Sequence, residues 1–318
     1  MKILVPLNNI DNIKRFAEAG AEELYAGFYD QEWFARFGNL SEINRMSNFK
    51  KHANKYTLDE LIEISRYAKD NNSSLYVTIN AQIYSQEQME MIRSYMKKIS
   101  NSDIAGVIVS TPELTMVAKS FGIKSVCSTM CAIYNSDLVD FYKDIGADKI
   151  IFPRDLTLEE IRKMVKKNPD IEYEVFLMRN GCIFSDSHCL GYHADPYESL
   201  CGYLRNGTVN IHTSNNNFDF NQDCRSNALL YRKAFRKFAC GQCAIYDFLE
   251  MGIASCKIVG RVDKPNSVLD DIILTKKNIE IAKASSSRDE YLKNMIFPSY
   301  MALSCNFGYA CYYPDIRF

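Results

Sequence analysis

Through the first two thirds of the chain two hydrophobic periods take turns. Short β-branched runs, apolar almost throughout, are each followed by a stretch with apolar residues three and four positions apart. The runs predict strands at Ile3 to Pro6, Glu23 to Ala26, Leu75 to Asn80, Ala105 to Ser110, Ser125 to Ser128, Lys149 to Phe152 and Tyr173 to Leu177, with an eighth at Ser255 to Val259. The stretches between them predict helices such as Asn12 to Ala19, Leu58 to Lys69, Gln86 to Ile99, Pro112 to Ser120, Ser136 to Ile145 and Thr157 to Lys167. Asp137 reads as a helix opening, and Thr157 with Glu160 reads as a capping box, whose two side chains satisfy amides that the first helical turn leaves open. Repeated βα units imply parallel strands joined by right-handed crossovers. Eight of them imply an α/β fold closed into a (β/α)8 TIM-like barrel. The alternative is an open doubly wound sheet, but no Gly-rich fingerprint follows the first strand.

The long gap between the seventh and eighth strands, about Gly181 to Gln242, reads as an insertion at a βα loop, on the face where barrels build their active sites. Residues 262 to 298 read as helical, and a Cys- and Tyr-rich tail occupies 299 to 318. The expected organisation is one barrel domain over 1–298, with its insertion, followed by that tail.

Composition narrows the function classes. With 47 % hydrophobic and 24 % charged residues, the 318-residue chain is neither disordered nor low-complexity. Its net charge of -1, from 38 basic and 39 acidic residues, excludes a generic polyanion binder, so any RNA contact must be local. No window of eighteen apolar residues predicts a membrane span. The start, MKILVPLNN, runs straight into a strand with no leader pattern, and the eleven cysteines are odd in number. Both features argue against a secreted disulfide framework and for a cytoplasmic protein whose cysteines are thiols, ligands or redox groups.

The cysteines cluster. Cys182 and Cys189 frame GCIFSDSHCLGYH after the seventh strand, Cys201 follows in DPYESLCGY, and Cys240 and Cys243 frame ACGQC at the start of the helix before the eighth strand. Four thiolates suit Zn²⁺ or an iron–sulfur cluster. Zinc sites favour short C-x2-C pairs, whereas clusters accept wider spacing, and Cys182 to Cys189 is a C-x6-C. The competing reading is that a buried cysteine is a small hydrophobe, which is the better reading for Cys127, Cys131 and Cys256 in or beside strands.

The runs FPRDLTLEEIRKM, EYEVFLMRNGCIFSDSHC and ACGQCAIYDFLEMGIASCKIVGR, together with AGAEELYAGF, LYVTIN and GVIVST, resemble the collagenase-like peptidase family U-32 over roughly residues 1 to 283. In that family an R-[ED]-L-[ST]-L-E-E-I phrase precedes a Cys-x6-Cys, a third Cys and a fourth Cys twelve residues before a Gly. Here Cys240 stands twelve residues before Gly252, and KIVGR follows at Lys257 to Arg261. The resemblance implies a peptidase by name. For other members it implies oxygen-independent hydroxylation of RNA or ubiquinone, with prephenate as oxygen source and a [4Fe-4S] cluster on four cysteines. Carried over, the ligands are Cys182, Cys189, Cys201 and Cys240, with Cys224 the rival of Cys201. Arg179-Asn180-Gly181 replaces the family's His-Gly, the phrase around Cys201 is reduced to LCGYLR, and the tail with Cys305 and Cys311 is not typical.

The C-terminal strand ends, which face a barrel's active site, supply Tyr25, Asn80, Ser128, Thr129, Arg154, Arg179 and Arg261. Three guanidiniums at one mouth, with Asn80, suit a small anionic co-substrate such as prephenate, or a phosphate. The competing reading pairs Arg154 with Asp155 or Glu159, and Arg261 with Asp263. No H-E-x-x-H or G-x-S-x-G motif supports a hydrolase; His188 and His193 lie in the cysteine loop. Lys50, Lys51, His52 and Lys55, and the helix bearing Arg225, Arg232, Lys233, Arg236 and Lys237, are RNA-phosphate candidates or solvated faces. Tyr300, Phe307, Tyr309, Tyr312 and Tyr313 are expected to pack on the barrel or on a protein partner, and Cys305 with Cys311 to be a second metal pair at most. The expected function is therefore an iron–sulfur enzyme supporting oxygen-independent hydroxylation or redox modification of RNA or another substrate. The alternatives are a metal-dependent collagenase-like peptidase, with zinc in place of the cluster, and a non-catalytic cluster-bearing maturation or binding protein.

Overall fold

A computed structural model describes residues 1–38, 41–46, 53–182, 186–188, 239–298, 305 and 311–316. Eight parallel strands close on themselves in sequence order: β1 Lys2–Pro6, β2 Glu23–Ala26, β3 Ser74–Ile79, β4 Gly106–Val109, β5 Ser125–Cys127, β6 Lys149–Ile151, β7 Glu172–Met178 and β8 Ser255–Ile258. Closure is made by β1 against β8, with Ile3 beside Cys256 and Leu4 beside Lys257. The TIM-like barrel expected from the strand count is therefore what forms.

Helices α1 Asn12–Ala19, α2 Gln31–Phe37, α3 Leu58–Asp70, α4 Gln86–Ser100, α5 Pro112–Ser120, α6 Ser136–Asp144 and α7 Leu158–Lys167 surround the sheet. Their starts are chemically marked. Thr57, Ser85 and Thr157 form capping boxes with Glu60, Gln88 and Glu160. The α6 cap is Asn135 and not Asp137, which sits in the first turn and favours the positive helix end. One short helix escaped the sequence reading, α2, whose run QEWFARF has one buried anchor, Trp33, while the helix expected before the eighth strand forms at Ile245–Glu250 and is only six residues long. The helical stretch expected over 262–298 is two helices, Pro265–Ala284 and Arg288–Asn294, parted where Ser287 opens the second as its cap.

Strand side chains alternate between the helix-facing core and the lumen. Leu24, Leu75, Ile150, Val175 and Cys256 are fully buried in the apolar core. The alternate positions carry charge. The Lys149 ammonium on β6 reaches the Glu23 carboxylate on β2 at 2.9 Å, and these strands are not neighbours, so the contact crosses the lumen. Lys149 also donates to Ser255 Oγ at 3.2 Å, Ser255 donates to Glu174 at 3.2 Å, and Lys257 donates to Glu174 at 3.2 Å. A ladder of ions thus fills the barrel where many barrels stack aliphatic layers.

Candidate functional site at the barrel mouth

Above the ladder the charges stop balancing. Lys257 lies over the Tyr25 ring, 4.3 Å from its centroid, and Arg261 lies over the same ring at 5.8 Å. The Arg261 guanidinium is 8 % exposed, and its polar partners are the amide oxygens of Asn44 at 3.1 Å and Asn54 at 3.2 Å. Among the described residues no carboxylate pairs with it. Burial pulls its pKa down to about 10, and it also pushes the Tyr25 phenol up to about 12 against the pull of Arg261 and Arg154. Lys257 is lowered by burial too, with Glu174 opposing and the two arginines adding repulsion. A desolvated cation held by neutral dipoles is costly unless an anion joins it.

Gly27, just past β2, makes room for this arrangement. A Cβ there would stand 2.1 Å from Asn54 Oδ1, 2.6 Å from Arg261 Nη1 and 2.8 Å from Asn44 Nδ2. Only a glycine lets the guanidinium and both amides close over the backbone. Asn80, at the end of β3, is 9 % exposed, and its Oδ1 accepts from the Arg45 amide at 3.3 Å, so it holds the loop that carries Asn44.

The β6–β7 side of the mouth is built differently. The Arg154 guanidinium stacks 3.6 Å from the Phe176 ring centroid and pairs with Asp186. Burial would lower its pKa, and Asp186, Tyr312 and Cys182 together outweigh it, so the guanidinium is raised. Arg154 Nε is buried with no partner among the described residues. Tyr312, from the C-terminal tail, stacks on Phe176, its hydroxyl lies near enough to Arg154 to act on its charge, and Cys182 is near enough to act on both.

Arg179 ends β7 with φ 67, and Asn180 follows with φ 44. Two consecutive non-glycine residues in the left-handed region cost of order 1 kcal/mol each, and surrounding contacts hold them. The Arg179 amide donates to Ala239 O at 2.7 Å, its carbonyl accepts from the Tyr312 hydroxyl, and its guanidinium pairs with Asp271 and donates to Ser267 O at 2.7 Å. The turn directs the chain toward Cys182. Cys240 returns to the same strand end, bridged antiparallel to Met178.

Of the residues expected at the site, Arg154, Arg261, Asn80, Cys182 and Cys240 lie at this end of the barrel, while Arg179 is turned to Asp271. Cys189 and Cys201 lie outside the described residues, as do Cys224, His193, Tyr300, Phe307, Tyr309, the second basic stretch, and Lys50, Lys51 and His52 of the first. The ion pairs differ from those weighed in the sequence. Arg154 takes Asp186 rather than Asp155 or Glu159, and Asp263 serves Arg179 and Asn180 rather than Arg261. Gly27, Asn44, Asn54, Asp186 and Tyr312 were not read as site residues. Asn44 and Asn54 stand in a loop without periodicity, and only folding brings them to Arg261. Cys127, Cys131 and Cys256 are buried.

A parallel eight-stranded barrel with a cationic mouth flanked by thiols is the class that fold and site define. The sequence matches the profile of Peptidase family U32 over residues 8–296, and the chain belongs to that family. It is 26 % identical over 289 residues to tRNA hydroxylation protein P1 of Bacillus subtilis, covering 88 % of this chain and 63 % of that protein. It is 24 % identical over 161 residues to a collagenase of Porphyromonas gingivalis, covering 51 % of this chain and 35 % of that protein. The chain thus spans less than two thirds of the length of either relative. A solved U32 peptidase, Mk0906, superposes with a TM-score of 0.50 at 13 % identity, covering 82 % of this chain and 92 % of the other, which speaks to the fold alone. No helix among the described residues is long and apolar enough to cross a membrane.

Proposed function

We propose that this U32 chain is an iron–sulfur barrel enzyme that supports oxygen-independent hydroxylation of RNA, taking a small carboxylic acid of the prephenate type as co-substrate. The observation that carries the reading is Arg261. It is a buried guanidinium whose partners among the described residues are two amide oxygens, at the open end of a barrel whose deeper charges are paired. A carboxylate entering there meets a bidentate donor and displaces little water. Lys257 and the Tyr25 hydroxyl lie beneath it to orient a second polar group.

In this reading Cys182, Cys189, Cys201 and Cys240 hold a [4Fe-4S] cluster, with zinc the alternative occupant. Two observations fit the cluster. Cys182 and Cys240 return to the same end of β7, and the orphaned Arg154 Nε–H lies in the neighbourhood of Cys182, where anionic sulfur would accept from it. Among the described residues no three His, Cys, Asp or Glu side chains form a complete metal site, and two of the four proposed ligands lie outside them. When bound, the cluster supplies electrons one at a time. Around it Arg154 and Arg261 bind and orient the acid, Tyr312 holds Arg154 in place, and Phe176 keeps water off the guanidinium face. The names of the B. subtilis relative and of tRNA hydroxylation proteins P in other bacteria support RNA as the substrate.

The test is anaerobic incubation of the purified chain with tRNA, prephenate and a reductant, followed by nucleoside mass spectrometry. One added oxygen on a nucleoside, dependent on prephenate and lost in Arg261→Gln, is the expected result. Unmodified tRNA together with peptide release from gelatin, abolished by chelators, contradicts it and supports the peptidase.

A further inference from the structure

Two lysines of the lumen, Lys149 and Lys257, have different surroundings. Lys149 meets the Glu23 carboxylate at 2.9 and 3.2 Å, donates to Ser255 Oγ at 3.2 Å, and has Glu172 and Glu174 at 3.9 Å. Its side chain is 1 % exposed. Lys257 stands higher, under the mouth. Among the described residues its one carboxylate is Glu174, at 3.2 Å, and its side chain is 8 % exposed. Rings and cations stand beside it. Its Nζ lies 4.3 Å from the centroid of Tyr25, the ring against which Arg261 also lies. Its register partner on β7 is Phe176, the ring that carries the Arg154 guanidinium at 3.6 Å.

We propose that Lys257 is a catalytic amine that condenses with the carbonyl of an α-keto acid whose carboxylate pairs with Arg261. The inference rests on the reading of Arg261 as the carboxylate site and adds the neighbouring carbonyl as the feature selected. In an α-keto acid the two groups are bonded carbon to carbon, and here the cation for one and the amine for the other lie against a single ring. The step needs no oxidant or reductant. Lys257 passes one proton to Glu174 Oε1, 3.2 Å away. Its lone pair forms the C–N bond, and the carbonyl π pair moves to oxygen. That oxygen takes a second proton from the nitrogen and the one held on Glu174. It leaves as water while the nitrogen pair closes the C=N bond. The product is an iminium with one hydrogen on nitrogen, and Glu174 is a carboxylate again.

The surroundings favour this amine over the other. Burial loosens the Lys257 proton, Glu174 opposes that, and the two guanidiniums add repulsion, so the group is lowered. Desolvation and neighbouring cations are what make a lysine nucleophilic near neutral pH. Lys149 is the comparison that the fold supplies: its carboxylates outweigh burial and keep it an ammonium. Once formed, the iminium draws electrons from the adjoining carbons more strongly than the ketone does, so attachment activates the acid as well as holding it.

The experiment treats the whole chain with pyruvate and sodium cyanoborohydride, which reduces an iminium to a stable secondary amine, and maps the peptides by mass. The expected adduct has the mass of pyruvic acid less one oxygen and sits on Lys257. It forms there well before it forms on exposed lysines such as Lys14 and Lys163, and Lys149 stays unmodified. Acetone, which offers the carbonyl without the carboxylate, labels Lys257 at least about thirtyfold more slowly, the loss expected when a buried charge lacks its partner. Arg261→Gln erases the difference between the two reagents, and Lys257→Arg removes the adduct while keeping a cation beside Glu174. If either variant does not fold, the wild-type map with the two reagents decides alone. No adduct on Lys257, or one formed there no faster than on exposed lysines, overturns the proposal. So does equal labelling of the wild type by pyruvate and acetone. Neither cluster nor RNA takes part in the labelling. Unmodified tRNA with a labelled Lys257 therefore faults the hydroxylase reading alone, and calorimetric binding of prephenate without a labelled Lys257 faults the imine alone.

Discussion

Lys149→Met is expected to destabilise the protein by about 3–5 kcal/mol, because it leaves the buried Glu23 carboxylate in the lumen without its nearest cation, while Glu174 keeps Lys257. Glu23 and Glu174 have side chains 1 % exposed, and Lys149 is the cation that both approach. Burial pulls the Lys149 pKa down, but Glu174 and Glu23 outweigh it, so the group is raised above its ordinary value and stays an ammonium. Its contribution is therefore fully present below the unfolded lysine value of about 10.4, and is lost as pH climbs through the higher folded value. Urea unfolding at neutral pH should show a lower midpoint at unchanged slope. The gap between wild type and variant should be constant through neutral pH and narrow only in strong alkali. Adding Glu23→Gln to Lys149→Met should recover part of the loss, since the uncompensated charge goes with it. An unchanged midpoint for Lys149→Met would show that the ladder does not hold the barrel together.

The second large effect concerns binding. Arg261→Gln should weaken prephenate, measured by calorimetry, by at least roughly thirtyfold, matching the 2–5 kcal/mol typical of a buried charge pair that loses one partner. Stability should move the other way. A guanidinium pushed down to about 10 by burial is a base whose charged form the fold disfavours, a cost present at neutral pH that fades only as pH rises through about 10. The ligand-free Gln variant should therefore be as stable as wild type or more so. Gly27→Ala should lose the same affinity while keeping the arginine, because its Cβ displaces Asn54, Asn44 and Arg261 together. Here stability should fall as well, by about 1–3 kcal/mol, as overpacking costs. Wild-type affinity in both variants would remove Arg261 from the site.

The barrel was legible because its signal is periodic and local. Each strand was placed within one residue at either end, and the single extra residues, such as Ala105 and Ser110, are apolar or β-prone enough to extend a run. The site was legible only in part. Arg154, Arg261 and Asn80 follow from the rule that strand ends face the mouth. Which arginine is paired does not, because Asp186, Asp263 and Asp271 are chosen by three-dimensional proximity, not by neighbours in the chain. The charged ladder was hidden by the same averaging that revealed the strands. Glu23, Lys149, Glu174 and Lys257 sit inside runs that score as strand because their alternate positions are apolar. The docking of the tail was hidden by distance, since Cys240 and Cys311 are brought together only when the tail returns to the end of β7.

The most direct measurement is iron, acid-labile sulfide and zinc analysis of the chain purified without oxygen, with a visible spectrum, beside Cys182→Ser. The account predicts about four irons and four sulfides per chain with a broad charge-transfer absorption, all lost in Cys182→Ser. One zinc and no sulfide, or no metal at all, would contradict it.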